Sequence, residues 1–125
     1  MTENEITGAI LDCSIQIHRE LGPGLFESVY EEVLTYELEK RGFEVERQRG
    51  VEVEWDGQNM GLGFRADLVV NAKVIIELKS IEKLQPVHFK QLQTYLKLTN
   101  IRVGILINFN EALLKNGFHR VANGI

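Results

Sequence analysis

Three charged residues interrupt an otherwise apolar stretch running from Phe64 to Lys79: Asp67, Glu77 and Lys79. Val, Ile and Leu dominate both halves of the stretch and a break falls at Asn71-Ala72-Lys73, so it predicts two strands joined by a tight turn. With a three-residue loop at Asn71 to Lys73, antiparallel pairing sets Asp67 opposite Glu77, side chains about 5 Å apart; a two-residue loop makes them diagonal neighbours. Strand alternation puts Glu77 and Lys79 on one face and Val74, Ile76 and Leu78 on the other. Two carboxylates facing each other on a sheet repel, and a divalent cation is the natural neutralising agent. A hard cation such as Mg²⁺ takes oxygen ligands from one or two carboxylates and leaves positions for phosphate oxygens. An amine beside it can orient a water or stabilise charge on a phosphate. This is the logic of metal-assisted phosphodiester cleavage.

The competing reading is a surface of cross-strand ion pairs, which contribute little. Against it, Val69 and Ile75 lie on the charged face, and acids set into a mostly apolar sheet need a reason.

The elements that must position these residues can be read in order. Ile6, Ile10, Cys13, Ile17 and Leu21 recur at intervals of three and four, predicting one stripe of a helix over Glu5 to Leu21, stopped by Gly22-Pro23-Gly24. A second helix is expected from about Phe26 to Arg41, burying Val29, Tyr30, Val33, Leu34 and Leu38. Val51, Val53 and Trp55 alternate with Glu52 and Glu54 as in a half-exposed strand, and Asp56-Gly57 signals a turn. Gly61-Leu62-Gly63 then reads as a bend or a bulge before the hairpin. Pro86 suits the first turn of a third helix reaching about Leu98, with Leu84, His88, Leu92 and Tyr95 along one side. Arg102 to Phe109 reads as a buried strand, Glu111 to Lys115 as a short turn and Phe118 to Val121 as an edge strand. A helix between two strands favours a right-handed crossover and a mixed α/β sheet.

Asp67 followed by Glu77-Leu78-Lys79 resembles the PD-(D/E)XK nuclease signature, with Ala66 where the family's name carries proline. Gly24-Leu25-Phe26-Glu27-Ser28-Val29-Tyr30 resembles the G-x-x-E-x-x-Y pattern of a small branch of that superfamily, and Gln91-Leu92-Gln93-Thr94-Tyr95 the Q-x-x-x-Y motif of its exonuclease-like members. The resemblance implies a restriction-endonuclease-like core of order α-β-β-β-α-β over 1–125, with a mixed central sheet flanked by helices. It implies a Mg²⁺-dependent nuclease, with Mn²⁺ as a substitute and DNA rather than RNA as substrate. Asp67, Glu77 and the Leu78 main-chain carbonyl would hold the metal, with Glu27 as a fourth oxygen group, directly or through water; Lys79 would position or activate the attacking water, and Gln91 would orient water or contact the scissile phosphate. Tyr95 would stack on a base or touch the backbone, and Tyr30, sharing the Glu27 face, would be a second substrate contact.

Each of these residues also has a plainer role. A carboxylate at Glu27 suits the start of a helix in any protein, Tyr30 suits a core, Gln91 and Tyr95 suit an amphipathic helix, and a lone His88 on such a face is more often structural. No Walker loop, dinucleotide fingerprint, paired-cysteine zinc pattern or G-x-S-x-G elbow is present.

Fourteen Lys and Arg against eighteen Asp and Glu leave a net charge of -4, which disfavours a large surface for nucleic acid. That balance supports an alternative: a catalytically silent module that keeps the nuclease fold and acts through protein or nucleic-acid binding. No apolar run approaches the ~20 residues of a membrane span and the acidic start is unlike a signal peptide, so a cytoplasmic protein with no membrane association is expected. The one cysteine, Cys13, sits on an apolar helix face and reads as a buried thiol. A chain of 125 residues offers little surface for gripping a duplex, which favours a homodimer.

Overall fold

A computed structural model describes residues 1–123. Helix α1 spans Glu3–Leu21. Thr2 and Glu5 close its N-terminus reciprocally, the Glu5 amide donating to Thr2 Oγ1 at 3.2 Å and the Thr2 amide to Glu5 Oε1 at 3.0 Å. Ile6, Ile10, Cys13 and Ile17 are buried as their spacing predicts, whereas Leu21, in the last turn, is exposed. Gly22, at φ +72°, turns the chain away where a side chain would be strained.

Helix α2 is Glu27–Lys40 and buries Tyr30, Glu31, Leu34, Thr35 and Leu38. Val29, expected inside, is exposed, and Glu31 and Thr35 are inside instead. The inward face is therefore more polar than the apolar residues alone suggest, and Glu31 reappears below at the site.

Five strands follow in spatial order β1-β2-β3-β4-β5: β1 Val45–Trp55, β2 Gln58–Val70, β3 Val74–Lys79, β4 Val103–Asn108 and β5 Phe118–Ala122. Only β3 and β4 are parallel, joined by the crossover helix α3, Pro86–Thr99. The mixed α/β sheet and the α-β-β-β-α-β order are both as expected. Strand β2 is longer than expected: Gly61-Leu62-Gly63 lies within it, and β1–β2 pairing shifts register opposite these glycines, between Val51 and Glu52 and between Glu52 and Glu54. The bulge reading holds, because the twist is absorbed without breaking the strand.

The β2–β3 connection is the three-residue loop Asn71–Lys73, since Val70 pairs with Val74. Asn71 and Ala72 both have positive φ, and the Lys73 amide closes the turn on the Val70 carbonyl at 3.0 Å.

The sheet separates two cores. Leu68, Val70, Ile76, Leu78, Ile105 and Ile107 pack on one side with the α1 and α2 residues, while Val69, Ile75 and Leu106 pack on the other with Leu92 and Leu96 of α3. Each such fully buried aliphatic side chain is worth about 1.5–3 kcal/mol over an exposed one. Gly104 sets how closely α3 approaches: a Cβ there would lie 2.8 Å from Leu92 Cδ1. The α3 face is also the charged face of β3, so this contact governs the distance between Glu77 and the helix above it.

Candidate active site

Pairing between β2 and β3 stops one residue short of the acids, at Leu68 opposite Ile76. The Asp67 side chain takes over from there: its Oδ2 accepts the Leu78 amide at 2.8 Å. The acids are thus brought together as the three-residue loop predicts, with one Asp67 oxygen also standing in the strand ladder.

Glu77 is buried, 7% exposed, and its Oε1 has no hydrogen-bond partner. Burial, then the Asp67 charge, then the hydrogen bond with Asp67 push its carboxyl up to about 9, with Lys79 opposing. A buried carboxylate oxygen without a partner is expensive. Without a cation, a proton is what relieves it. A hard divalent ion matches the same oxygen donors, so Asp67 and Glu77 fit a metal site by their chemistry. Among the described residues, however, no three His, Cys, Asp or Glu side chains assemble as a metal-binding group. Glu27, expected as a further ligand, begins α2 on its exposed side and lines a separate cleft with Leu25, Phe26, Ser80 and Asn110. The Ser80 hydroxyl joins the two segments by donating to the Leu25 carbonyl at 2.6 Å.

Lys79, Gln91 and Tyr95 do converge with Glu77. They line one narrow cleft, of about 30 Å³, together with His88, Leu92 and Leu106. This is about the room of one water, far below ordinary organic-ligand pockets of about 300–1,000 Å³, so the cleft suits a bare ion or a water, and a base could only lie outside it. Gln91 is exposed at its mouth. Tyr95 stacks on Phe64 with ring centroids 3.7 Å apart, and burial together with the Glu77 and Asp67 charges raises its hydroxyl pKa.

Tyr30 is elsewhere. It is fully buried and stacked on Phe109 at 4.3 Å, and its hydroxyl donates to the Gly22 carbonyl at 2.6 Å and accepts the Leu25 amide at 3.2 Å. The expected substrate contact is out of its reach, because it ties the α1–α2 loop to the core.

Two residues outside the motifs reach the site. Gln48 Nε2 donates to Glu31 Oε1 at 2.6 Å and to Asp67 Oδ1 at 3.3 Å, bridging α2 to the acid pair. Arg47 holds the other Glu31 oxygen through Nε and Nη2 at 3.2 and 3.1 Å. Gln48 does this at φ +50°, in the left-handed region, within a strand. The one available signal was Glu31 itself, an acid on the inward stripe of α2 one turn beyond Glu27.

The α3 end of β3 is braced independently. Asn108, fully buried and paired with Lys79 across the parallel ladder, accepts the Ile81 amide at 3.1 Å and donates to the Ile81 carbonyl at 2.9 Å. The chain leaving Lys79 is therefore fixed as it turns toward α3.

Among the described residues no helix is long and apolar enough to cross a membrane. Neither the curated proteins nor the solved structures contain a significant match to this chain. A family model described as the PD-(D/E)XK nuclease superfamily matches residues 4–121, a span that runs from the first turn of α1 into β5 and holds the whole acid-acid-lysine set. With that match over nearly its full length, the chain belongs to the PD-(D/E)XK nuclease superfamily.

Proposed function

We propose that this protein is a divalent-metal-dependent nuclease of the G-x-x-E-x-x-Y branch, acting on DNA in preference to RNA. The observation that carries the reading is the partnerless Glu77 Oε1, buried beside Asp67 in a cleft shared with Lys79 and Gln91. Asp67, Glu77 and the Leu78 main-chain carbonyl are the groups that would hold Mg²⁺, with Mn²⁺ as a substitute. When bound, such an ion supplies Lewis-acid stabilisation of charge on the phosphoryl group.

The chain's own residues do the rest. Lys79, which forms no ion pair among the described residues, presents its amine to the cleft, where it orients the attacking water and opposes the growing charge on phosphate. Gln91, one helical turn before Tyr95, donates or accepts at the same water or at the phosphate. Tyr95, held flat by Phe64, offers a ring for a base next to the scissile bond. Glu27 acts from the neighbouring cleft beyond Ser80, through solvent rather than by direct ligation.

The test is a calorimetric titration of Mn²⁺ into the wild type and the Asp67→Ala, Glu77→Ala double variant, with DNA and RNA cleavage assayed on the same samples. Binding and cleavage that vanish together in the variant support the nuclease. Failure of the folded wild type to bind Mn²⁺ at millimolar concentration would sink it and favour a silent binding module, the reading that the net charge of -4 suits better.

A further inference from the structure

We propose that His88 is an uncharged hydrogen-bond donor to a phosphate oxygen of the substrate, with its proton fixed on Nε2 by the first turn of α3. The inference rests on the nuclease reading above and adds a residue to that site. His88 occupies the third helical position, and its Nδ1 accepts the Gln85 amide at 2.9 Å while its own amide donates to the Gln85 carbonyl at 3.0 Å. An Nδ1 that accepts carries the lone pair, so the neutral ring must bear its proton on Nε2. Nε2 has no hydrogen-bond partner among the described residues, and the ring lines the cleft with Glu77, Lys79, Gln91 and Tyr95.

The choice of residue type supports the assignment. Glu or Gln ordinarily reaches back to the cap from this position. Glutamate would put another carboxylate into a cleft that serves an anionic substrate and already holds Glu77. Histidine caps the helix with one nitrogen and presents an N–H with the other. The same tautomer argues against His88 as a metal ligand, because ligation through Nε2 would need the lone pair that the cap keeps on Nδ1. His88, Lys79 and Gln91 thus give the cleft hydrogen-bond donors for a phosphate beside the Glu77 carboxyl.

Capping alone would also explain a histidine here, so the experiment separates the two roles. In His88→Glu the cap acceptor is kept, the donor is lost and a carboxylate enters the cleft, so His88→Gln, neutral and still a donor, is the paired control. The expected result is a melting temperature within a few degrees of wild type and a fall in kcat/KM on the order of 10²-fold, the scale of losing one donor to a developing anion. His88→Gln, which keeps an acceptor and an N–H, should recover part of that loss. Imidazole ¹⁵N spectra of the wild type should show the Nε2–H tautomer, and its signal should shift when a short DNA oligonucleotide is added with Ca²⁺. An Nδ1–H tautomer, or an oligonucleotide that shifts the Gln91 side-chain amide but not His88, would overturn the proposal and leave the nuclease reading standing. An oligonucleotide that shifts neither would overturn both.

Discussion

The Asp67 carboxylate accepts the Leu78 amide at 2.8 Å, so a side chain completes the sheet where a β2 carbonyl would otherwise have paired. One Asp67 oxygen is therefore structural and the other, Oδ1, reaches Gln48. This gives a clean separation of fold from chemistry. Asp67→Asn, with its amide oxygen toward Leu78, keeps that acceptor and removes the charge, losing only the longer 3.3 Å hydrogen bond from Gln48. It is expected to fold with a melting temperature close to wild type, to lose Mn²⁺ affinity by tenfold or more and to lose cleavage. Asp67→Ala leaves the Leu78 amide without a partner and should cost about 1–3 kcal/mol of stability in addition. Denaturant melts and Mn²⁺ calorimetry on the two variants check this; an active Asn variant would remove Asp67 from the site.

Glu77 gives the fold a pH dependence. Its carboxyl is pushed up from an ordinary 4.5 to about 9 in the folded protein, first by burial and then by Asp67. Between those values the native chain holds a proton that the unfolded chain has released, so stability is fully present below about 4.5 and declines as pH rises through 9. Metal-free wild type should lose melting temperature steadily from pH 5 to pH 9. Glu77→Gln, neutral throughout, should flatten that profile and melt higher than wild type at pH 8, while cleaving nothing. Mn²⁺ should raise the wild-type melting temperature at pH 8 and leave the Gln variant unmoved. Thermal melts at three pH values, with EDTA and with Mn²⁺, read the stability outcomes, and a cleavage assay on the same samples reads the loss of activity.

The legible parts of this architecture are those written in residue type and short spacing. The α1 stripe of Ile6, Ile10, Cys13 and Ile17 and the helix α3 beginning at Pro86 follow from periodicity and proline chemistry. The meeting of Asp67 with Glu77 follows from the three-residue loop at Asn71. The bridge from Glu31 through Gln48 to Asp67 depends on a left-handed backbone at a residue that seldom adopts one, and nothing in the local sequence announces it. Tyr30 lies in the core, as its place among the apolar residues of α2 predicts, and what spacing does not give is the partner of its hydroxyl, the Gly22 carbonyl.

Gln48 provides a test of that bridge. Its φ of +50° costs on the order of 1 kcal/mol in a non-glycine residue, held in place by the hydrogen bonds to Glu31 and Asp67. Gln48→Gly relieves the backbone but leaves the buried Glu31 Oε1 without its donor, effects of opposite sign, so stability should change little while kcat falls about 10- to 100-fold, the usual scale for a group that orients a metal-binding carboxylate. Mn²⁺ affinity should fall in parallel. Unchanged kcat and Mn²⁺ affinity in a folded Gln48→Gly would show that Asp67 is oriented by the Leu78 amide alone.

Tyr30→Phe separates a core role from a substrate role. The variant keeps the stack on Phe109 and loses only the hydroxyl that holds the Gly22 carbonyl and the Leu25 amide. A loss of about 1–2 kcal/mol is expected from unfolding curves, since the carbonyl and amide lose their shared partner at a loop near the core. KM for DNA should stay at the wild-type value, because a fully buried ring touches no substrate. Any catalytic effect should appear in kcat alone, through looser placement of the loop that leads into Glu27 and is pinned at Leu25 by Ser80. A raised KM with unchanged stability would instead mean that the hydroxyl leaves the core when substrate binds, and that the G-x-x-E-x-x-Y tyrosine belongs to the substrate surface.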